Sequence, residues 1–285
     1  HEPIAMGFVG RGLLDANVVG DVFAAPTSDL ILEGIKEAYS TAGSILLISR
    51  HEGDVINGRA ACLDAQDEGM DVRPFLMYDD ISSAPKGQEE DRRGAAGTIF
   101  IYKILGAASE QGMAIDDLIL LGKRVRSNTR TLGVAINSGI SPITNEAMFT
   151  LPEDEVFIGM GVHGEPGVAR KKLGTVNELV SFMMDKIFED KKIHSGETVV
   201  VLINGMGGST LMELYSVYNE THNYLREKQI SDVSPMIGSF STTQETSGFS
   251  ISLLIPDEQI LNLWRASHEA PNLSLIHISE PTRHT

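Results

Sequence analysis

The sequence predicts an α/β protein: two α/β domains, each a mostly parallel or mixed sheet flanked by helices. Three observations carry that expectation. Short continuous apolar runs, Ser44-Ile45-Leu46-Leu47-Ile48-Ser49 and Thr198-Val199-Val200-Val201-Leu202-Ile203, have the length and branching of strands buried on both faces. Windows of helical periodicity or helix-forming composition alternate with such runs along the chain. Glycine-rich turns stand where strand patterns end, around 159–161 and 204–210.

The elements follow in order. The strand at 44–49 leads into a helical window at 59–68. A second strand, 72–78, ends in Asp79-Asp80. The stretch 81–94 is rich in Gly, Pro, Ser and charge and reads as a surface loop. Alanines, leucines and helix-forming charged residues predict helices at 98–111 and 115–128. Beyond Arg130 come strand candidates at 131–137 and 155–162, then an amphipathic helix at 176–188. The strand at 198–203 turns through 204–210 into a helix at 211–227. An alternating strand at 249–255 and a helix at 257–264 close the pattern. A boundary near Asn128 gives an N-terminal domain, 1–127, and a C-terminal domain, 128–272, that carries His163. The chain opens on His1-Glu2-Pro3 without methionine, so the first domain reads as truncated at its start. The stretch 273–285 shows neither strand nor helix logic and reads as an appended, non-native or disordered tail.

Composition bounds the function. In 285 residues, 42% are hydrophobic and 22% charged, enough apolar content for a true core. The net charge of −16 repels phosphate backbones and anionic lipid, which argues against nucleic-acid and membrane-surface partners. No apolar run approaches the roughly 18 residues of a membrane span, and no signal-peptide pattern opens the chain. The single cysteine, Cys62 in Ala60-Ala61-Cys62-Leu63, forbids an internal disulfide and reads as a small buried hydrophobe. A cytoplasmic protein is the expectation.

Five motifs are candidates for chemistry. His163, in Gly159-Met160-Gly161-Val162-His163-Gly164-Glu165-Pro166-Gly167, has glycines on both sides that allow close approach to a ligand, and it follows a predicted strand. It is either a nucleophile or base, or a loop histidine capping a turn. Arg50-His51-Glu52-Gly53-Asp54 follows the first strand and reads as an acid–base cluster, with Asp54 alternatively capping the next helix. His1-Glu2-Pro3 shares vocabulary with 163–166. The 204–210 loop lacks the lysine of a phosphate-binding P-loop and reads first as a tight structural turn. Asp79-Asp80 with Asp91-Arg92-Arg93 could hold Mg²⁺, but solvated surface charge is the better reading. No Cys/His cluster has zinc spacing, no metal site is expected, and no G-x-S-x-G elbow is present.

Taken together, His1-Glu2-Pro3, Gly53-Asp54, the run Arg92 to Thr98, the His163-Gly164-Glu165-Pro166 block, Glu213 to Tyr218 and Ser247 to Leu253 occur in an order that resembles the substrate-binding subunit of dihydroxyacetone (glycerone) kinases, the DhaK-like family, over roughly 1–266. The resemblance implies a phosphotransferase with an alcohol acceptor, built from two α/β domains and typically a homodimer. It implies that His163 holds the ketone carbonyl as a covalent hemiaminal, that Asp54 is the general base on the hydroxyl receiving phosphate, and that His1 hydrogen-bonds the substrate and assists transfer. Gly53 and Ser49 fall among the substrate-contacting positions. No cofactor is implied on this subunit. ATP with Mg²⁺ belongs to a nucleotide-binding partner subunit (DhaL-like), with ATP or a phosphotransferase-system phosphocarrier as ultimate donor. Two departures stand out: Ser49 replaces a substrate-contacting lysine of a Lys-Asn-Tyr-Thr-type run, here Ser49-Arg50-His51-Glu52, and Thr243 to Gly248 stands where a Leu-Asp-Met-like run is common. These leave a larger ketose such as erythrulose open, and the same histidine would serve a ligand-sensing transcriptional coactivator.

Overall fold

The computed structural model describes residues 5–161, 163 and 167–274. Helix α1 (Ser28–Ala38) comes first, capped by the Thr27 hydroxyl, and it is an element the sequence pattern does not mark. Strand β1 (Ser44–Ser49), helix α2 (Glu52–Asp67) and strand β2 (Val72–Met77) form a βαβ unit, with β1 and β2 paired in parallel so that Ser49 lies opposite Met77. Helix α2 begins seven residues before the periodicity predicts. Its first turn is held by Glu52 and Asp54, acids that favour a helix N-terminus, rather than by an apolar stripe. Helices α3 (Thr98–Glu110) and α4 (Ile115–Ser127) follow as expected.

The main sheet runs β5 (Ala169–Lys172), β4 (Glu155–Ile158), β3 (Thr129–Asn137), β9 (Ser247–Leu254), β6 (Thr198–Gly205) and β7 (Ser231–Asp232), with β8 (Met236–Gly238) also on β6. Of the two sheet types predicted, this one is mixed: β5 to β6 are antiparallel neighbours, and only β7 and β8 pair with β6 in parallel. Strand–helix alternation misleads here because β3 and β9, far apart in sequence, meet antiparallel at the centre. An isolated parallel bridge, Asp80 to Thr131, carries the chain beyond β2 onto the start of β3.

Strand β6 explains why its sequence is apolar without interruption. Val199, Val201 and Ile203 face helices α5 (Val176–Asp190) and α6 (Leu211–Glu227), while Val200 and Leu202 join the cluster of α3, α4 and α7 (Glu258–Arg265). Strand β9 alternates instead. Its Phe249, Ile251 and Leu253 enter the α5–α6 core, whereas Ser250 and Ser252 are also buried, and Ser252 Oγ lies 2.7 Å from the Thr131 hydroxyl. Alternation usually marks a solvent face; here the polar face is buried, and Ser250 lines a small cavity. Thr210 and Glu213 form a capping box at the start of α6. Gly207, at φ 116°, lets the 204–210 turn touch the 243–246 segment, where a Cβ would fall 1.6 Å from the Gln244 carbonyl oxygen. That loop is a packed structural turn. Leu273–Ser274, at the start of the stretch read as patternless, pair antiparallel with Glu269–Ala270 as β11 and β10; the rest of that stretch lies outside the described residues.

Candidate functional site

The ends of β1 and β2 place two carboxylate clusters side by side. After β1 the chain runs through Arg50 into the first turn of α2. His51 is the N-cap residue and Asp54 stands in the first turn, so Asp54 is not the cap that its residue type allowed. The backbone of the turn exposes Gly53 and packs it against Ala25. Asp54 points inward, with its side chain 11% exposed and that of His51 10%.

His51 is the centre of this cluster. Its Nδ1 lies 3.1 Å from Ser49 Oγ and 3.7 Å from Asp54 Oδ2. Its ring meets the His163 ring edge to face, centroids 4.5 Å apart and planes at 67°. Phe23 closes the other side, also edge to face with His163 at 5.8 Å. Phe23 holds φ 59°, a left-handed backbone that a bulky residue tolerates only when its surroundings fix it. Ser49 is buried and packs under Gly94, where a Cβ would meet the Ser49 hydroxyl at 2.5 Å. Burial pushes the Asp54 carboxyl above the usual range, and positive charge around it, first the chain's terminal ammonium and then the His51 and His163 imidazoles, pulls it back.

Of the predicted site residues, the structure thus brings Ser49, Asp54 and His163 around one imidazole and leaves Gly53 on the exposed turn beside them. His1 lies outside the described residues. The sequence marks His51 only as part of a charged run and does not mark Phe23 at all. Nothing in a Phe between Val22 and Ala24 signals a ring contact with a histidine 140 positions away.

The second cluster overturns an expectation. Asp79 and Asp80 are not solvated surface charge: they are 4% and 5% exposed. The Asp79 oxygens accept backbone N–H groups from Ala95 at 2.7 Å and Gly97 at 2.8 Å, so the carboxylate ties the start of α3 to the end of β2. Burial lifts its pKa to about 6, against the lowering effect of these hydrogen bonds and the Thr131 hydroxyl. Asp80 accepts from the Ser82 backbone and hydroxyl and from Arg93 Nη2 at 2.9 Å. Nor is 81–94 a plain surface loop. Arg92 is 1% exposed, donates to the Ala84 carbonyl and pairs in bidentate fashion with Asp190 of α5, which also takes Arg130. The sequence misleads because charge and glycine read alike in a solvated loop and in one whose arginines reach buried carboxylates.

Arg93 links the two clusters. The same Nη2 that meets Asp80 lies 3.3 Å from the carbonyl oxygen of Gly159, four residues before His163. A cavity of about 20 Å³, room for roughly one water, borders Met160 and Gly161 just beyond it. Its walls include Asp80, Thr131, Gly161, Asn204, Ser241 and Ser250. Among the described residues no group of three or more His, Cys, Asp or Glu could hold a metal ion, and no helix is long and apolar enough to cross a membrane. Cys62 is buried, as expected.

Comparison with known proteins gives a consistent result. The Dak1 domain family matches residues 1–272. The chain is 38% identical over 264 residues to the dihydroxyacetone-binding subunit DhaK of PTS-dependent dihydroxyacetone kinase 1 of Listeria innocua, covering 92% of this chain and 80% of that protein. It is 32% identical over 271 residues to the D-erythrulose kinase of Mycolicibacterium smegmatis, covering 95% of this chain and 47% of that enzyme. Among solved structures, the dihydroxyacetone kinase operon co-activator Dha-DhaQ superposes with a TM-score of 0.87 at 33% identity, covering 94% of this chain and 83% of that one.

Proposed function

The chain belongs to the Dak1 domain family, and from that membership we propose that it is the ketose-binding subunit of a dihydroxyacetone kinase. It holds the ketose on His163 while a nucleotide-bearing partner subunit, DhaL-like, phosphorylates the terminal hydroxyl. The observation that carries this reading is the meeting of Ser49, Asp54 and His163, drawn from separate stretches of chain, around the His51 ring. A triose offers few atoms to grip, so a covalent tether supplies the orientation that contacts alone cannot.

The chemistry balances within the site. The lone pair of one His163 ring nitrogen adds to the ketone carbon, the C=O π bond opens, and the proton shed by the other ring nitrogen ends on the former carbonyl oxygen. No water is lost. A polyol has no electrophilic carbon and is not held. In the transfer step Asp54 accepts the proton of the terminal hydroxyl as its oxygen attacks the phosphoryl group. ATP with Mg²⁺, or a phosphocarrier of a phosphotransferase system, belongs to the partner; the subunit itself works as a homodimer. His1 assists by hydrogen-bonding the substrate.

Native mass measurement after incubation with dihydroxyacetone, and separately with erythrulose, tests the anchor. The expected product is heavier by one whole ketose and is absent from His163→Ala. Failure to form such an adduct with either ketose overturns the reading, and an adduct lighter by one water points to an imine on lysine instead. A second reading, a ketose-sensing coactivator, is favoured by the likeness to Dha-DhaQ. Asp54 separates them, because a sensor needs the anchor but no base; its presence favours the kinase. Relative rates with dihydroxyacetone and erythrulose then decide the ketose, for which the small side chain of Ser49 leaves room.

A further inference from the structure

We infer that His51 is a positioning residue of this site: clasped by Ser49, its imidazole is the edge partner that aligns the His163 ring and the counter-charge of the Asp54 carboxylate. The inference rests on the roles proposed above for His163 and Asp54.

The argument starts from proton counting. A base must be ionised, and a nucleophilic imidazole must keep a lone pair. Asp54 is largely withdrawn from water, which disfavours its charge. Its position in the first turn of α2 helps, because a helix N-terminus favours an anion. That effect is weaker than a cation at under 4 Å in a partly buried site. Among the described residues, two imidazoles stand close enough to supply the cation. If His163 carries the proton, the anchor is spent before it meets a ketone. If His51 carries it, both requirements are met at once, and a second proton on His163 is disfavoured by a like charge one ring away.

Geometry assigns the proton to His51 as well. Nδ1 of His51 faces the Asp54 carboxylate, and the same atom meets the Ser49 hydroxyl, which fixes the ring rather than letting it swing. Among the described residues, the other groups near it do not compete. Arg50, beside it on the chain, turns away to Asp91. Tyr102 of α3, which senses the charge of Asp54, is held neutral by burial. Phe23 presses on His163 from the far side, so the anchor ring is fixed between an aromatic edge and His51.

The test is a ¹³C carboxyl titration of Asp54 in the ligand-free full chain, wild type against His51→Asn. The asparagine keeps a polar contact for Ser49 but cannot take a proton. The Asp54 midpoint is expected to rise by about one pH unit, and the acidic limb of the kcat profile should move by the same amount, with KM changed far less. His51→Gln should behave like His51→Asn. An Asp54 midpoint unmoved in both variants overturns the inference, whatever happens to their melting temperatures. Should neither variant fold, wild type decides: Asp54 and the His51 ring nitrogens must titrate as a coupled pair with shared midpoints, and independent midpoints overturn it. Because the titration needs no ketose, a chain that forms no adduct defeats the proposed function while the Asp54 midpoint still decides the role of His51.

Discussion

The two strands of the small parallel sheet end level with each other, Ser49 opposite Met77, and each delivers a carboxylate largely withdrawn from water within five residues of its end. Beyond that the two ends part. At β2, Asp79 and Asp80 are closed in by fixed donors: backbone N–H groups, a serine and one arginine nitrogen. At β1, Asp54 faces two imidazoles, side chains that can gain or lose a proton near neutral pH. Burial raises all three carboxyls. A carboxylate held by donors that never titrate is architecture; one held by groups that do is equipped for proton transfer.

The comparison breaks most visibly on activity. Asp54→Asn is expected to lower kcat in a coupled assay with the partner subunit by roughly a hundred- to ten-thousand-fold, the usual worth of a general base, while the His163 adduct still forms. Turnover within a few-fold of wild type removes Asp54 from the base role and makes the β1 end no more chemical than the β2 end.

Stability should run the other way. Asp79→Ala strands the N–H groups of Ala95 and Gly97 and is expected to cost about 3 kcal/mol or more in chemical denaturation. Asp54→Ala removes a charge that burial already penalises and should stay within about 1 kcal/mol of wild type. The pH dependence sharpens this. The Asp79 carboxyl titrates at about 6 in the fold against an ordinary 3.8. Between those values the folded chain binds the proton and the unfolded chain releases it, so stability falls as pH rises through the interval. Wild type should therefore gain on Asp79→Asn by about 2 kcal/mol as pH drops from about 6 to about 4. A constant gap over that range would mean the carboxylate is better solvated than its surroundings allow.

The difference between the two ends also explains what the sequence could reveal. Strands buried on both faces announce themselves: β1 and β6 match their apolar runs residue for residue or nearly so. Ordered short motifs point to His163, Asp54 and Ser49, because each sits beside a glycine or at a strand end where backbone form constrains residue type. What stays hidden is long-range pairing. Nothing local shows that β3 and β9 meet, that Arg92 finds Asp190 on α5, or that Asp79 finds the N-terminus of α3. Charged residues look the same in a solvated loop and in a buried network until their partners are placed, so the β2 end reads as surface. Phe23 and the His51–His163 contact are hidden for the same reason.

Arg93 is where the two ends touch, and it gives the smallest and most discriminating effect. Arg93→Lys keeps the positive charge beside Asp80 but gives up the planar guanidinium, so the Gly159 carbonyl loses its arginine donor and keeps only the longer contact from the Ser82 hydroxyl. One hydrogen bond in a part-buried site is worth about 1 kcal/mol, so the melting temperature should fall only slightly. The rate of adduct formation should fall more, by a few-fold, because loosening Gly159 shifts the strand end from which His163 is presented, and small misplacements of a reacting group are costly. If stability and adduct rate fall together by the same factor, Arg93 serves the architectural end alone. If the rate falls while the fold hardly changes, the buried carboxylates after β2 hold the chemical group in place.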